Sequence, residues 1–252
     1  MAKLVDIVTF LNDLLKIDQY ADYCPNGLQV EGRSEVSKVI TGVTASQALI
    51  DSAIDEGADI ILVHHGYFWR GESQAITGIK KNRIKKLLQQ DVSLLAYHLP
   101  LDGHKELGNN AQLAEKLGLT VQGWFGPEGK DICLQGELKI PMSSEQFSNV
   151  IHKALSRKPL HIGATENKTI SSVALCTGGA QSYFEAAIAK NVDAYITGEV
   201  SEQCFHLAKE TGVDYFSAGH HATERYGVLA IGNLLTKNFS VDHKFLDVDN
   251  PV

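Results

Sequence analysis

The segment Ala53-Ile-Asp-Glu-Gly-Ala-Asp-Ile-Ile-Leu-Val-His-His65 decides the fold. It opens on the end of a helix, which Gly57 stops. Asp59 to Val63 then runs without polar alternation, the pattern of a strand covered on both faces. The run ends on two adjacent histidines. In open α/β sheets the carboxyl ends of strands face the crevice where ligands bind.

The segment recurs. Ala187-Ile-Ala-Lys-Asn-Val-Asp-Ala-Tyr-Ile-Thr-Gly-Glu199 lies over it without a gap at an offset of 134 (187 − 53). Asp59 matches Asp193, His65 falls on Glu199, and further back Gln47 meets Gln181 and Val39 meets Val173. A second match, at an offset of 122 (220 − 98), sets His98-Leu-Pro-Leu-Asp102 over His220-His-Ala-Thr-Glu224.

Outward from these segments, apolar spacing predicts helices over 3–17, 46–56, 78–90 and near 108–117, with strands at 38–43 and 92–97. Asp22 to Gln29 reads as a loop, with Pro25 and Asn26-Gly27 as turn chemistry. Trp124 to Lys130, with Gly126, Pro127 and Gly129, reads as a boundary. Beyond it strands are predicted at 132–140, 173–176, 194–197, 215–218 and 241–247, and helices at 143–155, 181–190, 201–211 and 223–236. The rhythm predicts an α/β protein of two similar αβ units, 1–126 and 127–252, with mixed, largely parallel sheets covered by helices. The C-terminal helix and strand are free to pack back on the first unit. A metal site is expected in the cleft between the two.

Composition narrows the function. Of 252 residues, 44% are hydrophobic and 21% charged, as in ordinary globular proteins, and the formal net charge of -7 argues against nucleic acid as a partner. The densest basic run, Lys80 to Lys86, has Ile79, Ile84, Leu87 and Leu88 at helical spacing and reads as a solvated helix face. None of the four cysteines forms a CxxC pair. The start lacks the apolar core of a signal peptide, and no apolar run approaches the roughly 18 residues of a membrane span. A cytoplasmic protein with no membrane partner is expected.

Three clusters carry the chemistry. His64-His65 follows the first apolar strand, His98 and Asp102 follow Ser93 to Tyr97, and His220, His221 and Glu224 follow Asp214 to Ala218. Imidazoles and carboxylates gathered at strand ends suit zinc, iron or manganese, and a carboxylate such as Glu224 or Asp102 can bridge two ions. Gly178-Gly179 lacks a P-loop context and reads as a turn, Ser46 and Ser182 lack a nucleophile elbow, and Tyr67 and Trp69 read as wall packing.

Val63-His-His-Gly-Tyr-Phe-Trp69, Tyr97-His-Leu-Pro-Leu-Asp102, Thr197-Gly-Glu-Val-Ser-Glu202, Ala218-Gly-His-His-Ala-Thr-Glu-Arg225 and Pro25-Asn-Gly-Leu-Gln-Val30 together resemble the Nif-three-like dinuclear metal-centre family. Its members are often labelled GTP cyclohydrolase 1 type 2 homologs, and the resemblance is to the short bacterial branch. It implies two divalent ions per chain held by His64, His65, Asp102, His220 and Glu224, with His98 beside them as a supporting or catalytic group. It also implies a ring-shaped homo-hexamer. Here the family's usual His-Thr-Asn-Leu-Asp reads His-Leu-Pro-Leu-Asp, which changes the neighbours of the site and keeps its histidine and aspartate.

The expected function is dinuclear metal-dependent hydrolysis of a small molecule, either GTP cyclohydrolase-like or on a nucleotide or phosphoester. His98 and Glu199, both at strand ends, are the expected proton carriers. The alternative is a non-catalytic metal-binding protein with a regulatory, delivery or scaffold role.

Overall fold

Ile60, Ile61, Leu62 and Val63 are fully buried, so the central run is sealed on both faces of its sheet. Each such side chain contributes roughly 1.5–3 kcal/mol relative to exposure. In a computed structural model describing residues 1–126, 131–163, 165 and 168–252, the chain divides into two compact units. Met1–Leu101 with Gly227–Asp249 forms the first, and Asp102–Tyr226 with Asn250–Val252 the second. Pro127 to Lys130 of the expected boundary lie outside the described residues.

The first unit contains β1 (Ala2–Lys3), α1 (Leu4–Leu15), β2 (Gly27–Val30), β3 (Glu35–Val36), β4 (Lys38–Thr44), α2 (Gln47–Asp55), β5 (Ile60–His65), α3 (Gly78–Gln89), β6 (Ser93–Ala96) and the start of α4 (Leu99–Gly103). The second contains α5 (Asn109–Lys116), β7 (Leu119–Phe125), β8 (Cys133–Ser143), α6 (Ser144–Leu155), β9 (Leu160–Ile162), β10 (Thr169–Leu175), α7 (Phe184–Ile188), β11 (Ala194–Thr197), α8 (Glu202–Thr211), β12 (Asp214–Ser217) and α9 (His220–Thr223). Helix α10 (Arg225–Asn238) leads back to β13 (Asp242–Phe245) in the first unit.

The first sheet has the order β13-β4-β5-β6-β2 and the second β7-β8-β10-β11-β12-β9. In each, three consecutive strands are parallel, β4-β5-β6 and β10-β11-β12, and an antiparallel strand closes the edge beside the third. The fold is thus mixed α/β, as the rhythm predicts. Ile40, Ile61, Val63, Leu94, Leu49 and Leu87 share one core. Leu134, Leu175, Ile196, Phe216, Phe147 and Ile151 share the other.

Local chemistry sets the helix ends. Ser46 accepts the Leu49 N–H and caps α2. Ser143 and Gln146 form a reciprocal capping box at the start of α6. Gly57, at φ +76°, takes the left-handed turn that releases the chain into β5. Strands β2, β7 and β9 depart from expectation. Gly27 to Gln29 lies in a strand instead of a loop, and Trp124 and Phe125 close a strand where the boundary is expected to open. Among the described residues, no helix is long and apolar enough to cross a membrane.

Candidate metal centre

In the first unit, β5 delivers His64 and His65 and the end of β6 delivers His98. Their rings gather with centroids 4.6 Å (His64–His65), 5.0 Å (His64–His98) and 5.8 Å (His65–His98) apart. Each can place a ring nitrogen within 4.8 Å of the other two. Each ring is also gripped by its Nδ1: His64 by the Tyr97 carbonyl at 2.9 Å, His65 by Thr44 Oγ1 at 3.1 Å, His98 by Asp22 Oδ1 at 2.7 Å. Such a grip fixes ring orientation and leaves Nε2 as the nitrogen that a metal ion would use.

Asp22 was invisible to pattern reading because it sits in a loop without periodicity. Its Oδ1 accepts from the Tyr23 N–H and pairs with His98, while Oδ2 accepts from Asn26 Nδ2 and the Leu99 N–H. Asn26 Oδ1 in turn accepts the His98 N–H at 2.7 Å. Burial alone would push the Asp22 carboxyl up, but His98, Asn26 and the Tyr23 amide outweigh it and hold the group at about 2. Burial, with the Asp22 charge beside it, lifts the Cys24 thiol to about 12. That thiol, Asp22 and His98 also lie within 4.8 Å of one another.

Phe68 adopts a left-handed backbone, φ +66°, which is rare for a bulky residue. The reversal lets Tyr67 point into the core, where its hydroxyl donates to the Ala45 carbonyl at 2.7 Å. Trp69 stands edge-on to His98 at 5.0 Å and is tethered through Nε1 to the Gly66 carbonyl. Both therefore serve as walls.

The second unit gathers the acids. Asp102 and Glu224 are buried, at 7% and 2% exposure, and each has a carboxylate oxygen within 4.8 Å of the other. Asp102 Oδ1 accepts from Asn109 Nδ2 at 2.9 Å. His220 Nε2 lies 3.2 Å from Glu224 Oε2, and its Nδ1 lies 2.7 Å from Glu199 Oε1. Burial would lower the His220 pKa, but Glu224 and then Glu199 overcome it and raise the ring to about 9. Two buried carboxylates this close favour a positive charge beside them, whether proton or metal ion.

Gly178, read from sequence as a turn, has a second role. At φ +70° it passes so close that a Cβ there would lie 2.0 Å from Glu224 Oε1 and 3.2 Å from His220 Nε2. The backbone cradles the acid and the imidazole, and only glycine leaves room. The donor set, nitrogen and oxygen ligands with oriented rings, therefore fits zinc, iron or manganese. Two further histidines lie near these clusters in sequence. His104 Nδ1 accepts the Glu106 and Leu107 amides in a local turn, and His221 donates its backbone N–H to the Val252 carbonyl.

Two mixed sheets of repeated design, each carrying histidine or acid clusters at its strand ends, define a class of α/β protein with candidate metal-ligand groups. Residues 2–251 match the family model described as Duf34/NIF3 (NGG1p interacting factor 3), and the chain belongs to that family. It is 54% identical over 231 residues to the GTP cyclohydrolase 1 type 2 homolog of Pseudomonas aeruginosa, covering 91% of each chain. It is 49% identical over 249 residues to the homolog of the same name in Escherichia coli K12, covering 99% of each. Among solved structures it is similar to protein ybgI, described as of unknown function, with TM-score 0.96, 49% identity and complete coverage of both chains. TTHA1606 from Thermus thermophilus follows the same fold at TM-score 0.90 and 31% identity, again over the full length of both.

Proposed function

We propose that the chain is a dinuclear-metal-dependent hydrolase acting on a small molecule, with His64, His65, Asp102, His220 and Glu224 holding two divalent ions. The observation that carries this reading is the common grip on the imidazoles. Four histidines at or just past strand ends are all held at Nδ1, by a carbonyl, a hydroxyl and two carboxylates. Orientation of that kind is the signature of ligating or proton-moving rings.

When bound, two divalent cations supply Lewis acidity and acidify a water near neutral pH. The chain's own groups do the rest. Glu199 holds His220 in the tautomer whose Nε2 faces Glu224, and Asn109 steadies Asp102. His98, paired with Asp22, and Glu199 carry protons. The names of the relatives point to opening of a nucleotide base ring, and phosphoester hydrolysis suits the same donors. Homo-hexameric assembly belongs to this proposal through the family resemblance, and a cytoplasmic setting through composition and cysteine usage.

Elemental analysis after reconstitution with excess zinc, iron or manganese should give two ions per chain. An unchanged count in an Asp102→Ala, Glu224→Ala double variant overturns the ligand assignment. The loaded protein is then assayed against nucleotides, phosphoesters and cyclic amides, with His65→Ala as the blank. Two retained ions with no turnover across that panel would favour the non-catalytic role instead.

A further inference from the structure

The second unit holds two cysteines that the metal reading leaves unused. Cys133 opens β8, and Cys176 directly follows the last residue of β10. The two strands are antiparallel, with Leu134 opposite Leu175, so the next step of the ladder sets Cys133 opposite Cys176. The Cys176 N–H points away from β8, to the Ile196 carbonyl at 3.0 Å. A strand residue sends its N–H and C=O to the same side, so Cys133 and Cys176 face each other as a non-hydrogen-bonded pair. That class has the shorter Cα separation, about 4.5 Å, and the closer side chains. Disulfides span Cα distances of about 4.4–6.8 Å.

The thiols are close enough for Cys133 to act directly on Cys176. Cys133 beside it, then burial, then the Asp102 and Glu224 charges hold the Cys176 thiol well above its ordinary pKa. Cys204, by contrast, contacts Ser201 Oγ at 3.3 Å, and Cys24 belongs to the other unit. Asn110 spans the backbone beside both members of the pair, donating to the Ile132 carbonyl and accepting the Thr177 N–H.

We propose that Cys133 and Cys176 form a redox site, a cross-strand dithiol that hydrogen peroxide closes to a disulfide. Cys176 is 3% exposed and Cys133 fully buried, so Cys176 is the sulfur reached first. Its sulfur takes one peroxide oxygen as the O–O bond breaks, giving a sulfenic acid and one water. The Cys133 sulfur then attacks that sulfur, its proton leaves with the hydroxyl as a second water, and the S–S bond forms. Two thiols are oxidised and one peroxide is reduced. Burial slows the first step and excludes bulky oxidants. The adjacent partner makes the second step intramolecular and sets the product.

The test treats the intact, metal-free chain with hydrogen peroxide, then alkylates it under denaturing conditions without reductant. Peptide mapping should find a Cys133–Cys176 cross-link about 2 Da lighter than the free pair, reversed by thiol reductant, with Cys24 and Cys204 alkylated. Cys133→Ser should replace the cross-link with sulfinic or sulfonic acid at Cys176. If that variant misfolds, the map of the unaltered chain still decides. Four alkylatable thiols after prolonged exposure, a cross-link to any other cysteine, or over-oxidised Cys176 beside an intact Cys133 thiol would overturn the proposal.

Discussion

A series of eight elements recurs in both units, and the units differ in what stands at the strand tips. The series α1-β2-β4-α2-β5-α3-β6-α4 is answered by α6-β9-β10-α7-β11-α8-β12-α9. Val39 opposite Ile60 becomes Val173 opposite Ala194, both displaced by 134 (173 − 39). At the third strand the displacement falls to 121 (214 − 93), since Ser93 and Asp214 take the matching places opposite Ile60 and Ala194. The residue that turns 121 into the 122 of the histidine match is Gly219, at φ +100°, where a Cβ would lie 2.6 Å from Arg157 Nε. His98 and His220 are therefore chemical counterparts displaced by one residue, not backbone equivalents.

At the tip of the second strand, His64 and His65 correspond to Gly198 and Glu199. Gly198 must be bare, because a Cβ there would lie 2.6 Å from His220 Cα and 2.7 Å from the Gly178 carbonyl. The first unit thus presents imidazoles on the strand itself. The second brings its imidazole on α9 and turns the strand-end residue into the carboxylate that steadies it. A shared frame carries its imidazoles by two routes, and the residue that stands in place of His65 holds a ring instead of supplying one.

The sharpest way to break this comparison is Gly198→Ala. Two backbone groups occupy the space, so the substitution should cost about 3 kcal/mol or more, read as a lowered urea midpoint. His64→Ala at the matching position removes a ring and strands the Tyr97 carbonyl, for about 1–3 kcal/mol. Equal losses would mean that the second tip is not closed by its own backbone.

The strand starts are expected to behave alike. Asp59 Oδ2 accepts from the Ser37 N–H, Ser37 Oγ and the Lys38 N–H, and Asp193 Oδ2 accepts from the Ser171 N–H, the Ser172 N–H and Ser172 Oγ. Burial opposes ionisation at both, yet these donors hold both carboxyls below their usual pKa. Asp59→Asn and Asp193→Asn should each cost about 1.5–3 kcal/mol. The additional Arg33 contact of Asp59 adds little, because Arg33 is 45% exposed. For a lowered folded pKa, the stabilisation is complete above the unfolded value of about 3.9 and is lost as pH falls through the folded one. Denaturation midpoints of the two variants should therefore flatten across that acid window relative to the parent.

The smallest effects belong to the groups that hold the rings. Glu199→Gln should weaken retention of a divalent ion about tenfold, the low end of the usual 10–100-fold, because the amide oxygen still accepts from Nδ1. Thr44→Val, removing a hydroxyl at the exposed end of β4, should weaken it only about threefold. Competition with a chromogenic chelator measures both. The reverse ranking would place the stronger support in the first unit.

Much of this was legible. Asp59 to Val63 announces a sealed strand by its lack of alternation, and the histidines after it inherit their position from the strand end. Gly178 was not legible, because its part depends on a positive φ and on Glu224 46 positions later (224 − 178). Asp22 was hidden because a loop aspartate carries no periodic signal, and β9 because three residues are too few to show one. His104 lies near a cluster in sequence, but its Nδ1 is taken up by a local turn, which spacing alone does not show.

Strand β13 gives the order of synthesis a consequence. It pairs with β4 from Asp242↔Lys38 to Phe245↔Thr41, and His243 Nε2 meets Thr41 Oγ1 at 2.8 Å. On a translating ribosome, residues 102–226 have all emerged before this partner exists, so β4 waits with its outer edge open while a whole second unit is made. An unpaired parallel edge is a template for stray pairing. Domains generally fold in N-to-C order during synthesis. Here the later unit has nearly its full complement of residues first, and the earlier one stays dependent on a segment that arrives almost last.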